Sequence, residues 1–125
     1  MEPQIKVAVV DDHEFFKSGV MLALKRIKFV SLVYTASDGI DFISKQRLTP
    51  ADVVLLDVNM PRMDGYNALL QVRKEFPDLK VIILTVTEDE SQIDRFINAG
   101  VNGYLLKTID QNDLENAIQA VIRGE

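Results

Sequence analysis

Five side chains of the sequence are of types that bind or transfer phosphoryl groups, and each stands at or just beyond the end of a short apolar run. They are Asp11, Asp12, Asp57, Thr85 and Lys107. If the three carboxylates lie within a few ångströms of one another, they repel strongly at neutral pH, so a proton or a cation must lie among them. A divalent cation is the better solution, and oxygen ligands without Cys or His suit Mg²⁺. The set therefore predicts a magnesium site.

Phosphoryl chemistry is the activity that such a site favours. Asp57 could act as a carboxylate nucleophile and form an aspartyl phosphate. The metal and Lys107 would neutralise the phosphoryl oxygens, and the Thr85 hydroxyl would donate a hydrogen bond to one of them.

The rest of the chain supplies the elements that bring these side chains together. Short runs rich in β-branched residues predict five strands, and apolar residues at every third or fourth position between them predict helices. The predicted strands are Ile5 to Val10, Val30 to Ala36, Asp52 to Leu56, Lys80 to Thr85 and Gly103 to Leu106. The second and fourth helices are predicted at Asp38 to Arg47 and Asp89 to Ala99. The apolar residues that predict the other three are Phe16, Val20, Ala23, Leu24 and Ile27 in the first, Leu69, Val72 and Phe76 in the third, and Leu114, Ala117, Ile118 and Val121 in the last. Strict alternation predicts a parallel sheet with helices on both faces, and ligands of such sheets bind at the carboxyl ends of the strands.

Composition excludes several classes of protein. The 125 residues contain 47% hydrophobic and 26% charged residues, which is ordinary for one globular domain. A net charge of −5 disfavours direct binding of nucleic acid. There is no cysteine, no apolar run of membrane-spanning length and no signal-peptide pattern at the amino end. We expect a cytoplasmic protein with no membrane contact.

Each candidate residue also has a purely structural interpretation. Asp11 or Asp12 could cap the first helix, with Glu14 completing a capping box, and the other three could merely end or follow strands. The coincidence of all five at one predicted edge favours the functional interpretation. The single histidine, His13, is predicted to be a surface residue and not a phosphoacceptor.

In order and spacing, the chain resembles the receiver domain of two-component response regulators. The resemblance lies in VDD (10–12), LLDVNMPRMDG (55–65), ILT (83–85) and GYLLK (103–107). It covers essentially the whole chain and implies a receiver domain over residues 1–125. The implied fold is flavodoxin-like, a doubly wound sheet of five parallel strands in the order 2-1-3-4-5 with five helices.

The resemblance also implies roles for individual residues. Asp57 would accept a phosphoryl group from a phosphohistidine of a sensor histidine kinase. Asp11, Asp12, Asp57 and the backbone carbonyl of Asn59 would hold Mg²⁺, and Lys107 would pair with the phosphoryl group. The chain would be no enzyme beyond its own phosphorylation and dephosphorylation.

A conformational switch is a further implication of the resemblance. Thr85 would swing toward the phosphoryl oxygens, and Tyr104 would rotate inward into the space that it leaves. VDDHEFFKSGV and AIQAVIRGE are similar to receivers of the NarL/LuxR type, which precede a helix-turn-helix output domain and dimerise on phosphorylation. Such an output domain lies outside these residues. We therefore expect transcription regulation through a DNA-binding domain that this chain does not contain.

The sequence departs from the receiver pattern at two positions. Thr108 follows Lys107 where many receivers have a proline in a cis peptide, so the geometry of this loop is open. Val86 is bulkier than the Ala or Gly that is frequent beside the threonine, and we expect it to narrow access to Asp57.

Two other functions compete with the signalling hypothesis. A phosphohydrolase of the haloacid dehalogenase kind also uses an aspartate nucleophile, but Asn59 stands where such an enzyme has an acid. A flavin-binding flavodoxin-like domain would have a loop rich in Ser, Thr and Gly after the first strand, where this chain has DDHEFF.

Overall fold

The computed structural model describes residues 4–60, 62–86, 89–108 and 110–124, and within them strands and helices alternate without exception. The elements are β1 (Ile5–Val10), α1 (Glu14–Lys25), β2 (Val30–Ala36), α2 (Gly39–Leu48), β3 (Val53–Asp57), α3 (Gly65–Glu75), β4 (Lys80–Thr85), α4 (Glu90–Asn98), β5 (Gly103–Leu106) and α5 (Gln111–Arg123). All strand pairs are parallel, in the order β2-β1-β3-β4-β5. The predicted doubly wound fold is confirmed.

The third strand lies one residue later than the sequence predicted. Asp57 pairs with Leu84 in the ladder between β3 and β4, so the strand includes the carboxylate. Asp52 precedes the strand, although its side chain accepts a hydrogen bond from the backbone N–H of Lys6 at 2.8 Å. The other four strands have the predicted bounds.

The first helix, Glu14–Lys25, contains four of the five apolar residues that predicted it. His13 is the N-cap residue and makes no capping hydrogen bond with its side chain, so the capping interpretation of Asp11, Asp12 and Glu14 is wrong. Instead, Oδ1 of Asp11 accepts a hydrogen bond from the backbone N–H of His13 at 2.8 Å. Helix α1 ends before Ile27, which still packs in the core.

The second and fourth helices each begin one residue after the predicted start because the first predicted residue is a cap. Asp38 accepts from the N–H of Asp41, and Asp89 accepts from the N–H of Ser91. The helices have between 9 and 13 residues. None of the described helices has the length and apolarity that a bilayer crossing requires.

The sheet separates two hydrophobic clusters, one on each face. Val54 and Leu56 of β3 pack with buried side chains of α2, α3 and α4, while Val53 and Leu55 pack with those of α1 and α5. All four are 0% exposed. Burying a side chain of this size stabilises the fold by ~1.5–3 kcal/mol. The core thus fixes the central strand from both sides, and with it the position of Asp57.

Candidate functional site

The predicted site residues converge on the carboxyl edge of the sheet. The carboxylate oxygens of Asp11, Asp12 and Asp57 lie within 4.8 Å of one another. Nζ of Lys107 lies 3.0 Å from Oδ2 of Asp11 and 3.0 Å from Oδ1 of Asp57. The carbonyl of Thr85 accepts a hydrogen bond from the N–H of Lys107 at 2.8 Å, which joins the ends of β4 and β5. The predicted convergence of the acids and the lysine is what the structure shows.

The loop after β3 folds back tightly against the strand that carries Asp57. The N–H of Gly65 donates to the carbonyl of Val58 at 2.8 Å. A Cβ atom on Gly65 would lie 2.9 Å from the Cα of Val58 and would clash with the carbonyl oxygen of Asp57, so only glycine allows this approach. Asn59 is exposed in the same loop. Pro61 of the same loop lies outside the described residues.

Burial dominates the electrostatics of Asp57. The residue is 3% exposed, and burial raises the pKa of its carboxyl to about 6. The hydrogen bond and charge of Lys107 oppose this increase in pKa, while the negative charge of Asp11 adds to it. Burial alone would lower the pKa of Lys107, but its close contacts with the carboxylates of Asp11 and Asp57 raise it above the usual value. One ammonium therefore compensates two buried carboxylates only in part.

Several carboxylate oxygens of the site remain without a hydrogen-bond donor among the described residues. They are Oδ2 of Asp11, Oδ1 of Asp12 and Oδ2 of Asp57. The 3.0 Å approach of Lys107 to Oδ2 of Asp11 is an ion pair without the direction of a hydrogen bond. Buried acceptors of this kind are costly unless a cation or a donor meets them. The residues present therefore fit a hard divalent cation such as Mg²⁺.

The sequence reasoning missed one member of this cluster, His13. Its Nδ1 lies 3.2 Å from Oδ1 of Asp11, 3.4 Å from Oδ1 of Asp12 and 3.9 Å from Oδ2 of Asp57. Its side chain is 64% exposed, as expected of a surface residue, but its inner nitrogen faces the acids. The available signal was its position directly after the acid pair in VDDH.

The predicted switch pair is in contact. Thr85 is 2% exposed and its side chain is hydrogen-bonded to that of Tyr104. Burial raises the pKa of Tyr104, the hydrogen bond with Thr85 lowers it, and the charge of Asp89 raises it. The Tyr104 ring also packs against Phe96 of α4, with 6.5 Å between the ring centroids. The end of β4 is thereby linked to the surface formed by α4 and β5.

The structure answers the question about the loop after Lys107. No cis peptide occurs among the described residues, which include Lys107 and Thr108. The Lys107 ammonium also lies 4.6 Å from the centre of the Phe16 ring, which adds a cation–π contact on the side of α1. Val86 is 79% exposed, and its predicted effect on access to Asp57 stays a prediction.

The fold and the site define a doubly wound α/β domain with buried acids and a lysine at the carboxyl edge of its sheet, where such sheets bind their ligands. The sequence model of the response regulator receiver domain matches residues 7–119. The chain belongs to this family. Its members are signalling modules: they receive phosphoryl groups from histidine kinases and bind Mg²⁺ at an acidic pocket. Membership favours the signalling hypothesis over the phosphohydrolase and flavin-binding hypotheses.

Individual relatives place the chain near the NarL/LuxR type of receiver. The transcriptional regulatory protein DegU of Brevibacillus brevis is 32% identical over 98% of this chain and 52% of its own length. The response regulator protein VraR of Staphylococcus aureus is 35% identical over 97% of this chain and 58% of its own length. The receiver domain of the NarL regulator from Mycobacterium tuberculosis has a TM-score of 0.90 at 29% identity, covering 99% of this chain and 100% of that domain. The chain thus spans little more than half of the length of the curated relatives that it matches.

Proposed function

We propose that this chain is a phosphorylation-activated receiver in which Asp57 accepts a phosphoryl group from a sensor histidine kinase. Asp11, Asp12, Asp57 and the backbone carbonyl of Asn59 would hold Mg²⁺. The observation that carries the proposal is the position of Lys107, whose Nζ lies 3.0 Å from oxygens of both Asp11 and Asp57. The lysine sits where it can neutralise a phosphoryl group on Asp57.

The proposed chemistry assigns each side chain a separate task. A carboxylate oxygen of Asp57 attacks phosphorus, the P–N bond of the donor phosphohistidine breaks, and its electron pair leaves on the imidazole nitrogen. Lys107 shifts its ion pair from the carboxylate to the phosphoryl oxygens, and the Thr85 hydroxyl donates to one of them. Mg²⁺, when bound, would supply positive charge against the remaining oxygens. Hydrolysis of the acyl phosphate by water would reset the receiver.

The output would follow from the contact between Thr85 and Tyr104. When Thr85 turns toward the phosphoryl group, its hydrogen bond to Tyr104 breaks and the ring moves inward, which reshapes the surface of α4, β5 and α5. We expect this change to control pairing with a second copy and transcription through a DNA-binding domain outside this chain. Action in the cytoplasm, without direct contact to nucleic acid or membrane, is part of the same proposal.

Labelling by a small phosphodonor tests the acceptor directly. Wild-type chain, Asp57→Asn and the exposed control Asp78→Asn would be incubated with acetyl phosphate and Mg²⁺ and weighed by intact-protein mass spectrometry. One phosphoryl group should appear on the wild type and on Asp78→Asn, and none on Asp57→Asn. Equal labelling of all three chains would refute Asp57 as the acceptor. Steady turnover of acetyl phosphate by a chain that never carries a label would instead favour the phosphohydrolase hypothesis.

Solution mass tests the output. Light scattering of the same chain with beryllofluoride and Mg²⁺ should show a shift from monomer to dimer, and the shift should be absent in Asp57→Asn. A wild-type chain that stays monomeric with the phosphoryl mimic bound would contradict control of dimerisation by this domain.

A further inference from the structure

We infer that His13 is a nitrogen ligand of the metal site, and that it gives the site a preference for late first-row transition ions such as Co²⁺ and Cu²⁺ relative to Mg²⁺. The inference rests on the metal site of the proposed function and adds a ligand to it. The sequence reasoning chose Mg²⁺ on the ground that the ligand set holds only oxygen. The His13 imidazole lies in the cluster, so the possible ligands include a nitrogen atom.

The spacing of the atoms is that of ligands around one ion. Ligands bound at about 2.1 Å lie roughly 3.0 Å apart when adjacent in an octahedron and about 3.4 Å apart in a tetrahedron. Nδ1 of His13 lies 3.2 Å from an oxygen of Asp11 and 3.4 Å from one of Asp12. The third distance, to Asp57, is 3.9 Å, and all four ligand atoms lie within 4.8 Å of one another. A small inward movement of the side chains would place them around a common centre.

Buried oxygens without donors point to a cation independently of this spacing. Asp11 is 0% exposed and Asp57 is 3% exposed, and each has an oxygen that accepts no hydrogen bond from the described residues. Nδ1 of His13 lies closer to Oδ1 of Asp11, at 3.2 Å, than to Nζ of Lys107, at 3.5 Å. Because a carboxylate oxygen only accepts, Nδ1 donates its proton to Asp11 in this arrangement, and a metal ion bound here would take the place of that proton.

The type of ligand atom determines which ions the site binds more tightly. Imidazole nitrogen binds cobalt, nickel, copper and zinc well, whereas Mg²⁺ prefers oxygen and keeps its waters. Removing the imidazole should therefore lower the affinity for a transition ion and leave the affinity for Mg²⁺ nearly unchanged. A ratio of affinities measures the effect, and this ratio is insensitive to a general loss of charge at the site.

The test uses the fact that the chain has one histidine. Binding of Co²⁺ and of Mg²⁺ to the chain, without a histidine tag, would be measured by calorimetry for the wild type, His13→Ala and Phe15→Ala. Phe15 is the matched control because it is close in the chain and 96% exposed, and lies outside the cluster. We expect His13→Ala to lower the affinity for Co²⁺ about tenfold or more and to change the affinity for Mg²⁺ less than about twofold. Phe15→Ala should match the wild type for both ions.

Spectroscopy gives a second readout that does not depend on affinity. Pulsed electron paramagnetic resonance of bound Cu²⁺ should show coupling to an imidazole nitrogen in the wild type, and this coupling should vanish in His13→Ala. An unchanged ratio of Co²⁺ to Mg²⁺ affinity, or Cu²⁺ bound without nitrogen coupling, overturns the role of His13. If the wild type binds neither Mg²⁺ nor Co²⁺, the metal site of the proposed function fails as well. Since the two measurements need no phosphodonor, they separate these failures from a failure of Asp57 phosphorylation.

Discussion

Replacing Asp57 by Asn should stabilise the fold when no divalent ion is present. The pKa of Asp57 is raised from 3.8 to about 6 in the folded chain, chiefly by burial. A difference of roughly 2 pKa units corresponds to ~3 kcal/mol between the charged and neutral forms, at ~1.36 kcal/mol per unit. Because Asn resembles the neutral acid in size and charge, Asp57→Asn should raise the free energy of unfolding by up to ~3 kcal/mol at pH 8.

The pH dependence follows from the sign of the shift. A carboxyl group whose pKa is raised on folding binds a proton more tightly in the folded state, so its stabilising effect is complete below the unfolded pKa near 3.8. This effect is lost as the pH rises through about 6, and the wild type becomes less stable over that window. Asp57→Asn has no such group. The difference in the free energy of unfolding between the two chains, here called the gap, should therefore grow as the pH rises from about 4 through about 6 and then level off.

Urea unfolding in EDTA at several pH values between 4 and 8 measures the gap, with Asp78→Asn as the control. The control replaces an exposed aspartate and should lie within about 0.5 kcal/mol of the wild type. In saturating Mg²⁺ the gap should shrink, because an ion that binds only the folded wild type stabilises it by mass action. If Asp57→Asn is no more stable than the wild type in EDTA at pH 8, or if the gap is the same at pH 4 and pH 8, burial of the charge is not what raises its pKa.

Two further predictions concern the surroundings of Asp57. Gly65→Ala should destabilise the fold by about 1–3 kcal/mol, because the added Cβ meets backbone atoms. The control Gly19→Ala, whose Cβ would have nothing within 4 Å, should be neutral or stabilising. Equal effects of the two substitutions in thermal unfolding would contradict the steric argument. Lys107→Met should raise the pKa of Asp57 above about 6, since the lysine lowers that pKa through a hydrogen bond and its charge. Carboxyl carbon NMR titration in EDTA would measure this shift, and an unchanged or lower pKa would show that the lysine does not compensate the carboxylate.

The central strands β1, β3 and β4 were predictable because they are buried on both faces. Continuous apolar runs such as residues 7–10, all 0% exposed, leave little choice of bounds. Among the strands, only the bounds of β3 were predicted wrongly, because the charge of Asp57 suggests that the strand has already ended. Its ladder partner Leu84 keeps it in the strand, and no local pattern shows a partner 27 residues away in the chain.

The acids and the lysine of the site were predictable for a topological reason, and His13 was not. Parallel strands deliver the residues that follow them to one edge, so Asp11, Asp57 and Lys107 could be placed together from their positions alone. The inward direction of the His13 imidazole depends on the turn in which its N–H donates to Oδ1 of Asp11. The His13 side chain is 64% exposed, and a side chain with this exposure can point toward the acids or away from them. Composition and periodicity predict exposure and not direction, so they could not place the imidazole.

The hydrogen bond between Thr85 and Tyr104 is too weak to drive the proposed switch alone. A hydrogen bond of this kind contributes about 0.5–1.5 kcal/mol net, whereas moving a two-state equilibrium from 1:99 to 99:1 requires about 5.5 kcal/mol. Most of the difference must therefore come from contacts that form only with a phosphoryl group on Asp57. Lys107 is already in place for such a contact, at 3.0 Å from Oδ1 of Asp57. The Thr85–Tyr104 bond would then set which surface responds, while charge at Asp57 sets how far the equilibrium moves.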